Sequence, residues 1–412
     1  MKTGADNMPW KTDKWFVSPW NYLPEVTKGF KPPRKVKIHD ITLRDGEQQA
    51  GITFTKDDKI RIAEKLAEVG VHRIEAGMPA VSPADEAAIR EIVKRNLGPE
   101  IFCFSRCMAD DVKRAADCGV RGVILEIPAS KHLIEHAYQW PLKKAIDLSI
   151  KATLAAKEAG LYTVFFTIDA TRSDINWLLD LVSRVSNEGH MDAFTLVDTF
   201  GVLSPHAATY FTNRVRERVS KPLEVHFHAD FGLAVANTIM AVLAGAEVVH
   251  TTVAGIGERT GNAPTEETAL ALLTLYGIDT GLKYEKLNEL SSLVRELSGT
   301  TIPANRPFVG EMAYDIESGI VTSWYKNVYH QNPTDLFPVH PSFVGHRSPR
   351  ILLGKKSGVD NVQLWAKDLG IELKDDEVVA VLSKVKSKAI SQKRALTEAE
   401  FKEIVASVKG KK

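Results

Sequence analysis

The amino-acid sequence predicts an α/β protein built on a closed barrel of eight parallel strands, followed by a linker and a small α-rich domain. Three observations predict it. Short β-branched or aromatic runs alternate with longer stretches whose apolar residues recur three or four apart. About eight such units fill roughly 250 residues; parallel strands need helical crossovers, and eight of them close a sheet. Polar residues recur at the C-terminal ends of many strands, and no Gly-rich dinucleotide fingerprint follows the first one, which disfavours an open doubly wound sheet. The expected fold is therefore a (β/α)8 TIM barrel.

Taken in order, residues 1–34 carry Trp10, Trp15 and Trp20 with Pro19, Pro32 and Pro33. They are too polar and broken for a strand–helix unit and read as an N-terminal arm lying on the barrel or on a second subunit. The expected strands are KVKIHDI (35–41), VHRIEAG (71–77), EIFCFSR (100–106), GVILEIP (122–128), YTVFFTI (162–168), AFTLVDT (193–199), LEVHFHA (223–229) and EVVHTTV (247–253). A helix opens after Thr55, where TKDDKIRIAEKLAEVG offers a Thr cap, early acids, an apolar face of Ile60, Ala63, Leu66 and Ala67, and Gly70 as the stop. Similar patterns close the other gaps, giving a barrel domain over 35–283. From 284 to 412 the alternation stops: a helix pattern (EKLNELSSLVRELSG), a Pro/Gly-punctuated stretch (302–354) and two helices, VDNVQLWAKDLG and TEAEFKEIVASVKG.

Composition narrows the class. The 412 residues carry 53 Lys+Arg against 52 Asp+Glu and are 44% hydrophobic, the profile of an ordinary globular protein. Near-zero net charge argues against nucleic acid or a membrane surface as the main partner, since both need a concentrated basic face. No run suits a signal peptide and none reaches about 18 uninterrupted apolar residues. Cys103, Cys107 and Cys118 are odd in number and crowded together, so no disulfide framework is implied. A soluble, cytoplasmic protein acting on small molecules is expected.

The sharpest local feature is VHFHAD, which sets His226 and His228 two apart in a strand. Side chains at i and i+2 face the same side, so both imidazoles point into one cavity, as metal ligands would. An anionic third ligand is available in DITLRDGEQ, directly after the first strand, as Asp45 or Glu47, with Arg44 beside them. In a barrel the loop after strand one and the end of strand seven border the same mouth. Two imidazoles with carboxylate or amide oxygens suit Mg2+, Mn2+, Fe2+ or Zn2+; a softer ion would want thiolate. GIGERTGN (255–262) adds glycines for close ligand approach and the Asn262 carbonyl as a fourth ligand, but lacks the ending of a nucleotide-binding loop.

TLRDGEQ, IEAG-P, DTFG-LSP, HFHADFGLAVAN, GIGERTGN and LLGKKSG, in this order and spacing, resemble the DRE-TIM metallolyase family on its Claisen-type synthase branch, which includes isopropylmalate, homocitrate and citramalate synthases. The likeness covers about residues 35–405. It implies that Asp45, His226, His228 and Asn262 hold a divalent cation, Mg2+ or Mn2+ with Zn2+ as the alternative, and that Arg44 stabilises developing negative charge. It also implies acetyl-CoA or another acyl-CoA as co-substrate, a 2-oxo acid bound with Thr199, Gln48 and Glu75, and a homodimer in which one C-terminal segment covers the other barrel's mouth.

The departures from the family pattern are as informative. Where a strand-five glutamate is usual, FFTIDATR places Ile168; where the linker carries two histidines, YDIESGIVTS places Ile316 and Val321. None of these can move a proton. Tyr314 and Glu317 are the expected catalytic replacements, with Asp315 and Tyr325 nearby. Val164 stands where homocitrate synthases carry an arginine for a distal carboxylate, so a small or apolar 2-oxo acid is expected unless Arg106 compensates. The expected reaction is Claisen-type condensation of a short acyl-CoA with a 2-oxo acid; the alternative is metal-dependent carbon–carbon cleavage by a lyase or aldolase. The extra α/β module of end-product-inhibited members is absent from the sequence, so no amino-acid inhibition through such a module is expected.

Overall fold

The computed structural model describes residues 8–410, which fall into two compact units, Pro19–Ile302 and a second made of 8–18 with 303–410. In the first, eight strands close a parallel barrel in sequence order: β1 (Lys37–Asp40), β2 (Arg73–Glu75), β3 (Glu100–Arg106), β4 (Gly122–Pro128), β5 (Tyr162–Ile168), β6 (Ala193–Asp198), β7 (Leu223–Phe227) and β8 (Val248–Thr251). Pairing of β8 with β1 closes the ring, His39 opposite His250. Helices α1 (Lys56–Val69), α2 (Pro83–Lys94), α3 (Ala109–Asp117), α4 (Leu142–Glu158), α5 (Ile175–Glu188), α6 (Pro205–Arg216), α7 (Ala234–Leu243) and α8 (Thr265–Tyr276) cover the outside. Their burial on both faces is why the strands read as near-continuous apolar runs.

Local sequence sets these elements. Thr55 and Asp58 form a reciprocal capping box at the start of α1, and Gly70 ends that helix at φ 93°, a left-handed conformation that costs glycine nothing. Helices α2, α5 and α6 open on Ser82, Asp174 and Ser204, each accepting from the backbone three residues on.

The arm expected over 1–34 divides. Residues 19–34 run across the barrel end opposite the mouth, where Lys31 N donates to Leu243 O (2.7 Å) and Tyr22 Oη to Thr274 O (2.7 Å). Residues 8–18 belong to the second unit: Phe16 N donates to Pro338 O, and the Trp15 ring lies 5.7 Å from that of Phe343. The helix α9 (Leu287–Ser298) stays with the barrel unit. The second unit holds four helices where two were expected: α10 (Gly319–Val328), α11 (Val359–Asp368), α12 (Asp375–Gln392) and α13 (Glu398–Lys409). Val362, Val378, Val381, Val385, Phe401 and Ile404 form its core. No helix among the described residues is long and apolar enough to cross a membrane.

The barrel interior is half apolar and half ionic. Phe102, Phe104, Ile124, Val164, Phe166, Ala193 and Val197 cluster on the β3–β6 side. On the β7–β2 side Arg73 meets Glu224 at 2.6 Å, Glu224 meets His250 at 2.8 Å, and His39 stacks on His250 with ring centroids 4.4 Å apart. Burial alone would raise the pKa of Glu224, but the His250 bond and the Arg73 charge outweigh it and hold the group at about 2. The ionised form is therefore favoured by folding: its contribution, about 3 kcal/mol, is fully present above about pH 4.5 and is lost as pH falls toward 2. Glu224→Ala removes the buried partner of Arg73, leaves it Glu100 at 3.3 Å, and is expected to cost about 3 kcal/mol in urea unfolding at neutral pH. A cost below about 1 kcal/mol would show that Glu100 or water, not Glu224, compensates Arg73.

Candidate metal and active site

The chain leaving β1 makes one turn of π-helix, Thr42–Gly46, all of it buried. Such turns are scarce and gather at functional sites. This one is pinned from across the seam, where Thr42 Oγ1 accepts from Val253 N at 2.9 Å, and it turns Arg44 and Asp45 into the mouth. At the end of β7, His226 and His228 face the same side with their Nε2 atoms 3.2 Å apart. A short bridge between His228 and Asn262 brings the 253–262 loop over them.

Asp45, His226 and His228 form a buried trio whose ligand-type atoms lie within 4.8 Å of one another. Asn262 Nδ2 donates to Asp45 Oδ1 at 2.6 Å, and its Oδ1 has no partner although it is buried. Burial, then the neighbouring His228, pushes the proton affinity of His226 well down, so its imidazole is neutral and its lone pair free. Two neutral ring nitrogens facing each other, a carboxylate and an unpartnered amide oxygen match a hard or borderline divalent cation. Gly257 keeps the cradle open: at φ 149°, an added Cβ would strike Asn262 Nδ2 and lie 2.9 Å from Asp45 Oδ1.

Arg44 is fixed on three sides. Its Nε donates to Glu75, its Nη1 to Asp45 Oδ2 (2.6 Å) and to Gln48 Oε1 (3.1 Å), and its guanidinium stacks 3.9 Å over Phe104. Only Nη2 lacks a partner. Glu75, expected among the substrate-binding residues, is fully buried, with its carboxylate against Arg44 on one side and His39 (3.2 Å) on the other. Despite that burial, the Arg44 charge and the hydrogen bond from His39 hold Glu75 at about 2. Thr199 sits at the end of β6, where its hydroxyl oxygen accepts from Asp169 N at 2.8 Å and its proton remains free to donate. Arg106 is committed to Asp111 by two bonds, 2.7 and 3.0 Å.

Tyr314 and Glu317 belong to the second unit, and their partners there are structural. Tyr314 is buried beside Phe337 and His346, with burial raising its phenol. Glu317 accepts from Lys356 N at 3.2 Å and pairs with Lys356 Nζ at 3.4 Å, fastening the LLGKKSG loop.

Sequence reasoning misses the ionic interior and Glu126. His39, Glu224 and His250 bring three ligand-type atoms together. The His39 and His250 planes, however, are 21° apart and stacked, so their in-plane lone pairs run side by side rather than converging, and Arg73 already neutralises Glu224. This trio is an ionic core. Its signal in the sequence is the charge at inward positions of β1, β2, β7 and β8, which stands out only once strand register is known.

A buried cluster of two histidines, a carboxylate and an amide at the C-terminal mouth of a closed parallel barrel, with an arginine clamped beside it, defines a metal-dependent barrel enzyme. The comparisons agree. A family model described as HMGL-like matches residues 35–294, and the chain belongs to that family. It is 39% identical over 388 residues to a homocitrate synthase of Methanopyrus kandleri, spanning 94% of this chain and 96% of that one. Similarity to an (R)-citramalate synthase of Methanocaldococcus jannaschii is 39% over 91% of this chain and 75% of the relative. For a 2-isopropylmalate synthase of the same organism it is 37% over 92% and 73%. Among solved structures, an HMG-CoA lyase from Bacillus subtilis superposes with a TM-score of 0.60 at 22% identity, over 68% of this chain and 98% of that one, a likeness of fold.

Proposed function

We propose that this chain is a divalent-metal-dependent acyl-CoA:2-oxo acid C-acyltransferase, condensing acetyl-CoA or another short acyl-CoA with a small or apolar 2-oxo acid and releasing CoA. The observation that carries the proposal is the Asp45, His226, His228 and Asn262 cluster with Arg44 clamped against it. A divalent cation held by those four residues, Mg2+ or Mn2+ in this reading, supplies Lewis acidity to a bound keto group.

The chain's own groups do the rest. Arg44, held by Glu75, Asp45 and Gln48, keeps Nη2 free to donate to the oxygen that gains charge; being fixed beforehand, it reorganises little as that charge appears. Thr199 offers its hydroxyl proton to the substrate carboxylate. Phe104, Phe166 and Ile168 line the β3–β5 side, and Arg106, at the end of β3, is spent on Asp111, which supports a substrate without a distal carboxylate. A homodimer is part of the proposal, supported by Ile320 and Trp324, 67% and 55% exposed on one face of α10. So is a cytoplasmic setting, supported by three free, buried thiols.

The test is free-thiol release from acetyl-CoA with Mg2+ or Mn2+ and one 2-oxo acid at a time. Release with pyruvate, glyoxylate or 2-oxoisovalerate is the expected result. Release with 2-oxoglutarate or oxaloacetate alone overturns the substrate class, and none with any acid overturns the reaction.

A further inference from the structure

Condensation through an acyl thioester needs a base at the carbon next to the thioester carbonyl, and almost every acid around the mouth is already committed. Asp45, a ligand of the proposed cation, is bonded to Arg44 and Asn262. Glu75 is sealed between Arg44 and His39. Asp169 is held by Ser130, His132 and Arg172; Asp198 accepts from Thr171 and Leu203 N; Asp230 is paired with Arg259; Asp111 is paired with Arg106.

Glu126 is not committed in this way. It stands on β4, in register with Arg106 of β3 and Phe166 of β5, two residues after the inward-facing Ile124 and so on the same face. Its Oε2 is buried without any hydrogen-bond partner, and so is Nη2 of Arg44. The two groups are near enough for the arginine's charge to act on the carboxyl, yet no bond joins them. An unpartnered acceptor and an unpartnered donor, beside the Phe104–Phe166 ring pair, are groups that a bound substrate can satisfy. Leaving such groups buried costs stability unless a ligand uses them. Burial also raises the Glu126 carboxyl to about 7, with Arg44 and Arg106 partly offsetting it, which is the range where a group is both ionised and able to keep a proton.

We propose that Glu126 is the catalytic base that removes the α-proton of the acyl thioester, an assignment that rests on the condensation proposed above. Glu126 carboxylate takes the proton, and the C–H electron pair becomes the enolate. The enolate carbon bonds to the keto carbon of the 2-oxo acid, whose C=O pair becomes an alkoxide and takes the proton back from Glu126. Water then adds to the thioester carbonyl, the C–S bond breaks, and the thiolate leaves with a proton from that water. Glu126 thus does the work that Ile168 cannot do.

The experiment uses full-length protein with Mn2+ and the Glu126→Gln and Glu126→Asp variants. Two readouts are taken: 2-oxo-acid-dependent thiol release, and deuterium uptake from D2O into the acyl methyl group with oxamate, which mimics a small 2-oxo acid but accepts no carbon nucleophile. Glu126→Gln is expected to lower both by at least about 100-fold, with the KM for the 2-oxo acid within about threefold and Mn2+ affinity unchanged. Glu126→Asp is expected to retain part of both and to shift the acid limb of the pH profile; it carries the test if the glutamine variant does not fold. Turnover within about fivefold of wild type, or parallel losses of turnover, KM and Mn2+ affinity, overturns the assignment. Wild-type protein that releases thiol but shows no exchange overturns it as well. Silence of the wild type across all 2-oxo acids is a different failure: it removes the condensation itself, and the assignment with it.

Discussion

Asp45→Ala is expected to abolish metal-dependent thiol release, by at least about 1,000-fold, and to remove the tight divalent-cation site at the same time. The magnitude follows from losing the anionic ligand of a Lewis-acid site whose transition-state stabilisation is several kcal/mol. The loss is compounded because Asp45 does two things: Oδ1 accepts from Asn262 and Oδ2 from Arg44. Without it the amide loses its anchor and the guanidinium one of its three. Calorimetric titration of Mn2+ alongside the thiol assay checks both halves. A variant that binds Mn2+ as tightly as wild type would show that Asp45 serves only to hold Arg44.

The second large effect concerns Arg44. Arg44→Lys is expected to lower kcat by about 100- to 1,000-fold while leaving Mn2+ affinity within a few-fold. Charge is conserved in this change, but geometry is not. Arginine reaches Glu75, Asp45 and Gln48 through its Nε and Nη1 nitrogens, lays its plane on Phe104 and still has Nη2 to spare. An ammonium on a flexible stem cannot satisfy that set and keep a donor aimed at the substrate. Steady-state kinetics at saturating 2-oxo acid, with parallel metal titration, decides the matter. A lysine variant with near-wild-type kcat would mean that the site needs only a positive charge.

What could be read from the sequence follows from how local each signal is. Strands 100–106, 122–128 and 162–168 lie where the apolar runs put them, and Thr55 and Gly70 bound α1 as their chemistry requires. The convergence of Asp45, His226 and His228 was legible because the two histidines share one strand end and a barrel of this order fixes the neighbour that supplies Asp45. Glu126 was not. In GVILEIP it is a lone charge in an apolar strand, and its meaning comes from Arg44, Arg106 and Phe166, each on another strand or loop. The bond between Glu75 and Arg44 was not legible for the same reason: it joins side chains 31 residues apart. Helix α12 carries its core stripe on Val378, Val381 and Val385, residues of weak helix propensity that declare themselves only against Phe401 and Ile404.

The ion pairs inside the barrel bear on how the chain is made. Arg73 sits on β2 and its counter-charge, Glu224, on β7; between them His39 and His250 lie across the β1–β8 seam. A nascent chain emerging from the ribosome has Arg73 long before it has Glu224. A premature ring made from the first six strands would leave that guanidinium with the half-exposed Glu100 at 3.3 Å but without its buried counter-charge. The clasp therefore acts as a counting device. Six staves lack the buried partner of that charge and eight supply it, so electrostatics favours the correct strand number alongside geometry.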